Sequence, residues 1–146
     1  MSGARRRASV VVAVVATTVL GSCGSDSLPT SPPVVNVTMR EYRFDLDGSV
    51  QPGRTVFRAT NAGRLRHEMA LVVLPADYPE NTLDQLRSKK RRALATRAYL
   101  PRRPPGASGT FAVDLAKGRY ALMCFVTGSG GEAHALKGMT LQFKVS

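Results

Sequence analysis

The sequence predicts an all-β domain, an antiparallel β-sandwich, over residues 34–146. Short apolar or alternating segments are separated by turn signals, with no regular alternation of strands and helices. In the first segment, Val34 to Arg40, the residues Val35, Val37 and Met39 share one face of a strand. This pattern is typical of a strand with one face against a core and the other toward water.

Five further strands are predicted along the chain, each bounded by glycine, proline or asparagine. The turn Gln51-Pro52-Gly53 precedes one of them, and Ala116-Lys117-Gly118 precedes another. In the last strand Met139, Leu141, Phe143 and Val145 alternate inward. The strands are Thr55 to Thr60, Met69 to Leu74, Thr110 to Leu115, Arg119 to Val126 and Met139 to Val145.

Residues 75–107 depart from the strand pattern. Between Asn81 and about Arg97, Leu83, Leu86 and Leu94 recur at roughly helical spacing. Asn81 or Thr82 is available as the N-cap, and a proline-rich stretch then leads the chain back. We expect an insertion between two strands that is part helix and part loop.

The N-terminus resembles an export signal. Arg5, Arg6 and Arg7 precede an apolar run from Val10 to Leu20, which is too short to span a bilayer. Leu20-Gly21-Ser22-Cys23 resembles the bacterial lipobox, in which the cysteine is lipidated; the alternative is an ordinary signal with an incidental cysteine. We therefore expect a signal peptide over residues 1–22, a lipid on Cys23 and a flexible tether over residues 23–33. The protein would be exported and anchored to the outer face of the cytoplasmic membrane or lie in the periplasm.

The chain is strongly basic, with a formal net charge of +11 that falls to +8 once Arg5, Arg6 and Arg7 are removed. An acidic redox partner or an anionic membrane surface is therefore a plausible partner. Nucleic acid is not expected, because an exported chain with few aromatics lacks a stacking platform. The alternative for the basic cluster is a solvated helix face and loop. The cluster comprises Arg87, Lys89, Lys90, Arg91, Arg92, Arg97, Arg102 and Arg103.

The residues that carry chemistry are few. The chain has two histidines and two cysteines, and with Cys23 lipidated, Cys124 would be a lone thiol in an oxidising compartment. A Cys23–Cys124 disulfide is the alternative. His134 follows Cys124 by ten positions, Met139 follows by five more, and His67 comes from a distant strand start.

Two imidazoles, a thiolate and a thioether are the ligands of a type 1 copper site. Zinc is the alternative metal, although it prefers a stronger fourth ligand than a thioether; the third possibility is a site without metal. Met123 is less suited than Met139, because it should face away from the Cys124 side of its strand.

These motifs resemble those of the cupredoxins, the plastocyanin and azurin type of blue copper protein. The resemblance rests on His67 after Asn61-Ala62-Gly63, and on Cys124-Phe125, His134 and Gly138-Met139. It implies a Greek-key β-sandwich and one copper ion held by His67, Cys124, His134 and Met139. It also implies that His134 is the more exposed ligand, whose ring edge forms an electron port surrounded by Ala133, Ala135 and Leu136.

The sequence departs from the family in two places. Nine residues separate Cys124 from His134, where plastocyanins have two, and Glu68 stands where an asparagine often follows the first histidine. We expect the Glu68 side chain to be solvated on its strand. The alternative is that it points at the copper region and offers an oxygen ligand.

The function predicted from these features is one-electron transfer by a monomeric, non-enzymatic copper protein between redox partner proteins. A copper-binding module for storage, delivery or resistance would use the same ligands and is the alternative. A copper enzyme would need an open coordination position, and the only candidate acid–base groups are Glu68 and Glu132.

Overall fold

The computed structural model describes residues 31–88 and 92–146 and contains two four-stranded sheets. One sheet has the strand order β2-β1-β3-β6 and the other β5-β4-β7-β8. Neighbouring strands such as β3 and β6 are far apart in the chain, as in a Greek-key sandwich. The elements are β1 (Val34–Arg40), β2 (Arg43–Leu46), β3 (Gly53–Asn61), β4 (His67–Leu74), α1 (Thr82–Arg87), β5 (Ala95–Arg103), β6 (Ser108–Leu115), β7 (Gly118–Met123), a 3₁₀ helix (His134–Lys137) and β8 (Thr140–Val145).

One strand pair differs from the antiparallel expectation. Strands β1 and β3 are parallel, with Val35 opposite Phe57, whereas the other pairs of named strands are antiparallel. After the β1–β2 hairpin the chain crosses toward the second sheet, where Val50 bridges to Val145 of β8. It then returns on the far side of β1, so β3 runs in the same direction as β1. The four-residue β2 was not predicted from the sequence.

The main core lies between the two sheets. The predicted inward face of β1 is confirmed, since Val35, Val37 and Met39 are all buried. Phe57 is fully buried, and its ring stacks on Phe111 at a centroid distance of 5.3 Å. Aromatic rings of this size supply much of the apolar area that stabilises a sandwich.

The predicted insertion covers the outer face of the second sheet. Helix α1 is capped by Asn81, whose side chain accepts a hydrogen bond from the Asp84 amide, but it ends at Arg87 and not near Arg97. A second core cluster forms beneath the insertion, where Leu86 and Leu94 pack on sheet residues. The buried members of this cluster are Tyr78 of the insertion and the sheet residues Ala70, Val72, Leu74, Ala121 and Met123.

The loop half of that prediction is wrong over residues 95–103, which form strand β5. This strand pairs with β4 at the edge of its sheet. An edge position tolerates Pro101, because one side of an edge strand has no neighbour that needs its missing N–H. The proline and the charges that made the segment read as a loop are therefore compatible with a strand.

The predicted signal peptide over 1–22, Cys23 and the tether up to residue 30 lie outside the described residues. Among the helices that the structure does describe, none is long and apolar enough to cross a membrane.

Candidate metal centre

The candidate ligands come together at one end of the second sheet. His67 is the first residue of β4, and Cys124 directly follows the end of β7. Because β4 and β7 are antiparallel neighbours, with Ala70 opposite Met123, the start of one lies beside the end of the other. His134 begins the 3₁₀ helix, and Met139 immediately precedes β8.

The three strong donors face one another in the interior. The Nδ1 atoms of His67 and His134 are 3.1 Å apart, and the Sγ atom of Cys124 lies 3.6 Å from His134 Nδ1. Their ligand atoms all lie within 4.8 Å of one another, and all three residues are buried. A metal ion about 2.0 Å from each nitrogen and about 2.3 Å from the sulfur would place its ligands about 3 to 4 Å apart. The observed distances fit one ion.

Met139 is tied by its backbone to two of these residues. Its N–H donates to the His134 carbonyl at 3.0 Å, and its carbonyl accepts from the Cys124 amide at 3.3 Å. Its side chain is fully buried in the same core cluster as Cys124. Met123 belongs to the cluster on the opposite face of the sheet, as its position in the strand predicts.

The long segment between Cys124 and His134 is held by hydrogen bonds. The amide of Ala135 donates to the Cys124 carbonyl at 2.7 Å, and that of His134 donates to the Val126 carbonyl at 2.8 Å. Beyond these bonds, Thr127 and Ala133 pair as an antiparallel bridge, so the extra residues project as a small hairpin. The extra length therefore does not separate the two ligands.

Glu68 is not the solvated side chain expected from the sequence. It is 6% exposed, and its carboxylate accepts hydrogen bonds from the Tyr99 hydroxyl at 2.7 Å and the Phe125 amide at 3.1 Å. Its own amide faces the Cys124 sulfur at 3.5 Å. Among the described residues its carboxylate lies outside the cluster of ligand atoms within 4.8 Å of one another, and its two oxygens are engaged by the Tyr99 hydroxyl and the Phe125 amide.

The loop before His67 is organised by two residues that sequence reasoning missed. The fully buried Asn61 donates to the carbonyls of Leu65 and Arg103, and it accepts from the Gly63 amide. Glu41, in the turn between β1 and β2, accepts from the amides of residues 64 and 65. The Asn61-Ala62-Gly63 turn was the available signal for Asn61; Glu41 had none, because β2 was not recognised.

Burial sets the protonation of the ligands. It lowers the pKa of His67, and for His134 burial and then the positive charges of His67 and Lys137 lower the pKa. Both imidazoles are therefore neutral at pH 7 and free to bind a metal. Burial raises the pKa of the Cys124 thiol, although the amides of Glu68 and Val126 oppose it. Metal binding would supply the charge that holds the thiolate.

His134 is buried, with 1% of the residue accessible, against 0% for His67, Cys124 and Met139, so it is the more exposed ligand by a small margin only. The ring of Tyr42 packs edge-on against the His134 ring, with a centroid distance of 5.3 Å. A shallow cavity of about 350 Å³ nevertheless reaches the histidine. Its lining includes His134 and a set of outer residues that we call the site mouth. These are Tyr42, Leu65, Arg66, Arg102, Thr127 and Lys137.

The predicted docking residues fare unevenly. Ala135 is 1% exposed and cannot contact a partner, whereas Ala133 and Leu136 are half-buried. Arg92 forms a two-pronged ion pair with Asp77. Lys89, Lys90 and Arg91 lie outside the described residues.

No family model and no curated protein matches the chain at the sequence level. Solved structures do match. Auracyanin from Roseiflexus castenholzii, in its dithionite-reduced form, is 18% identical over 80% of this chain and 98% of its own, with a TM-score of 0.55. Auracyanin A from Chloroflexus aurantiacus, described as a blue copper protein, is 18% identical over 78% of this chain and 99% of its own, with a TM-score of 0.54. An azurin from Methylomonas sp. strain J is 13% identical over 80% of this chain and 99% of its own, with a TM-score of 0.50.

These likenesses concern the fold, whereas the arrangement of candidate ligands is a feature of this chain's own structure. The two sheets match those of the auracyanins, and two histidines, a buried cysteine and a buried methionine converge where β4, β7 and β8 meet. The chain therefore has the cupredoxin fold, and His67, Cys124, His134 and Met139 are positioned as the copper site of a blue copper protein.

Proposed function

We propose that the protein is an exported one-electron carrier with a single type 1 copper held by His67, Cys124, His134 and Met139. The observation that carries the proposal is the convergence of two Nδ1 atoms and one Sγ atom at 3.1 and 3.6 Å inside the sandwich. Copper bound there would supply a metal that accepts and releases one electron.

The protein's part is to hold the donors still and keep water away. Each candidate ligand lies next to a strand end or a hydrogen-bonded turn, and none is more than 1% exposed. Rigid donors allow both copper oxidation states to share one geometry, so little has to move during electron transfer. Donors this deeply buried also favour a carrier over an enzyme, because the cavity that reaches His134 is not lined by His67, Cys124 or Met139.

The visible absorption spectrum of the purified protein with copper(II) tests this function. We expect an intense band from the copper–thiolate bond, which Cys124→Ser should remove. The band should disappear on reduction and return on oxidation without loss of copper. Copper that leaves on reduction would instead favour storage or delivery, and a colourless protein would overturn the type 1 assignment.

We further propose that the redox partner is acidic where it meets the site mouth. Leu65 is 42% exposed beside His134, and Arg66 and Lys137 line the same cavity. Within the described part of the chain, neither cation lies within 4.0 Å of a carboxylate, whereas Arg54 and Arg92 form ion pairs elsewhere on the surface. Unpaired positive charge around an apolar side chain suits brief docking of an acidic surface.

Small redox reagents can test the charge of the site mouth. Oxidation of the reduced protein by the anion hexacyanoferrate(III) should slow in Arg66→Gln and Lys137→Gln and should become less dependent on ionic strength. Lys144→Gln is the matched control. Lys144 lies on β8 opposite Arg119, at the end of β7 that is away from Cys124. Equal rates in all three variants would contradict the proposed surface.

Export and lipid anchoring through Cys23 remain part of the proposal. They are supported by the basic and apolar segments before Leu20-Gly21-Ser22-Cys23. Fractionation of cells that express the protein and its Cys23→Ser variant tests them. Only the parent protein should remain with the membrane, and equal distribution would argue against the anchor.

A further inference from the structure

We propose that the β1–β2 turn is a positioning element for the copper ligands, in which Glu41 orients His67 and favours the oxidised metal while Tyr42 supports His134. The turn consists of Glu41 and Tyr42, between the end of β1 at Arg40 and the start of β2 at Arg43. The inference rests on the proposed copper function and concerns how this chain sets the properties of the site.

Glu41 is held by several contacts against the loop that precedes His67. Its Oε1 atom accepts from the Leu65 amide at 2.8 Å and from the Arg64 amide, and it lies 3.6 Å from Nε2 of His67. Gly63 makes room for it, because a Cβ atom there would lie 2.6 Å from the same oxygen. The carboxylate thus has a fixed place beside the buried histidine.

The Nε2 atom of His67 depends on this neighbour. It is buried, and within residues 31–88 and 92–146 it has no hydrogen-bond partner. At 3.6 Å the carboxylate is too distant for a hydrogen bond, so its influence is that of a charge on an N–H dipole. A negative charge there favours the tautomer with the proton on Nε2, which leaves Nδ1 free on the side of Cys124 and His134.

The same charge should discriminate between copper oxidation states. The carboxylate lies 3.6 Å from Nε2 of the fully buried ring, while its own side chain is 34% exposed, so solvent screens part of its charge and the remainder acts on the metal position. It attracts the doubly charged copper(II) more strongly than copper(I). Glu41 should therefore increase the affinity for copper(II) selectively and lower the reduction potential.

Tyr42 extends the contact to the second histidine. Its φ of 60° is the one positive value at a non-glycine residue among those that the structure describes. The Tyr42 ring then packs against His134, and the Lys137 ammonium lies 5.2 Å from its centroid. A non-glycine backbone held in this sparsely populated conformation indicates that the surroundings determine the turn.

Glu41→Gln is the sharpest test, because it removes the charge and keeps an oxygen to accept the two loop amides. We expect about a tenfold weaker copper(II) affinity, a smaller change for copper(I) and a higher reduction potential. Glu132→Gln is the matched control. It removes the same charge from the exposed hairpin between Cys124 and His134 and should leave the reduction potential unchanged.

A second measurement does not depend on any variant. Nitrogen-15 NMR of the metal-free parent protein should show the His67 proton on Nε2. A proton on Nδ1, or a Glu41→Gln protein with the parent's potential and copper(II) affinity, would overturn the proposal. A parent protein without the copper–thiolate band would instead overturn the proposed function, so the two failures are distinguishable.

Discussion

Glu68 supports the residue pair Cys124–Phe125 from two directions, its amide facing the Cys124 sulfur at 3.5 Å and its carboxylate accepting from the Phe125 amide at 3.1 Å. The Glu68 amide can donate a hydrogen bond to the Cys124 thiolate. The Glu68 carboxylate fixes the backbone at Phe125, the residue that follows the cysteine. Strand β4 therefore carries a candidate metal ligand, His67, and next to it the residue that supports a second candidate ligand, Cys124.

Truncating Glu68 should destabilise the metal-free protein. Glu68→Ala leaves the Phe125 amide without its acceptor, and a buried unpaired donor costs about 1 to 3 kcal/mol. Urea denaturation measures the loss. Tyr99→Phe removes only the hydroxyl that donates to Glu68 and should cost about 0.5 to 1.5 kcal/mol. Equal stability of Glu68→Ala and the parent would show that water replaces the carboxylate.

The Glu41 carboxylate packs closely against Gly63. Gly63→Ala would place a methyl group 2.6 Å from Glu41 Oε1 and push the carboxylate away from the Arg64 and Leu65 amides. We expect a loss of about 1 to 3 kcal/mol and weaker copper(II) binding. Gly130→Ala is the control, because a Cβ there meets open space. Similar behaviour of the two variants would contradict the tight contact.

Asn61 should be among the most sensitive polar residues of the site. Asn61→Ala removes three hydrogen bonds at a fully buried position and leaves the carbonyls of Leu65 and Arg103 without their donor. The expected loss of unfolding free energy is about 2 to 4 kcal/mol. Thermal and urea denaturation of the metal-free protein measure it, and a loss below that of Tyr99→Phe would contradict the role of Asn61 in the loop.

The metal-free protein should lose stability as the pH falls below about 6.5. Burial lowers the pKa of both His67 and His134, so below their ordinary pKa the unfolded chain binds more protons than the folded one. The free energy of unfolding then falls with pH, by at most about 1.4 kcal/mol per pH unit for each histidine, until the folded-state pKa values are reached.

Urea denaturation between about pH 7.5 and pH 5 measures this slope. The double variant His67→Gln with His134→Gln lacks both groups and should have a much flatter profile. Identical profiles for the parent and the double variant would show that the histidines do not link protonation to folding.

The ligand set could be predicted from the sequence because its residue types are rare in this chain. Two histidines and one cysteine away from the N-terminal segment leave few combinations, and Met139 follows them at the start of a strongly alternating strand. The core face of β1 followed from simple period-two alternation. The rarity of the ligand residue types and the alternation of β1 can both be read without knowledge of the fold.

The features that were missed depend on contacts between distant segments. Burial of Glu68 requires Tyr99 and Phe125, which lie on other elements, and nothing near Glu68 in the chain indicates them. Strand β5 carries a proline and several charges because it is an edge strand, a position known only once the sheet is assembled. The burial of His134 likewise depends on Tyr42, in a turn that was not recognised.

The hairpin between Cys124 and His134 has a consequence for how such a protein can vary. Hydrogen bonds from Ala135 and His134 and the Thr127–Ala133 bridge close its base, so residues 128–132 form a tip beyond the closure. Because these bonds fix the base of the hairpin, a change in the length or composition of the tip should leave the distance between Cys124 and His134 unchanged. The tip also borders the site mouth, where Gly128 and Ser129 line the cavity. Variation in the tip could therefore change the proposed docking surface while the spacing of the candidate ligands stays constant.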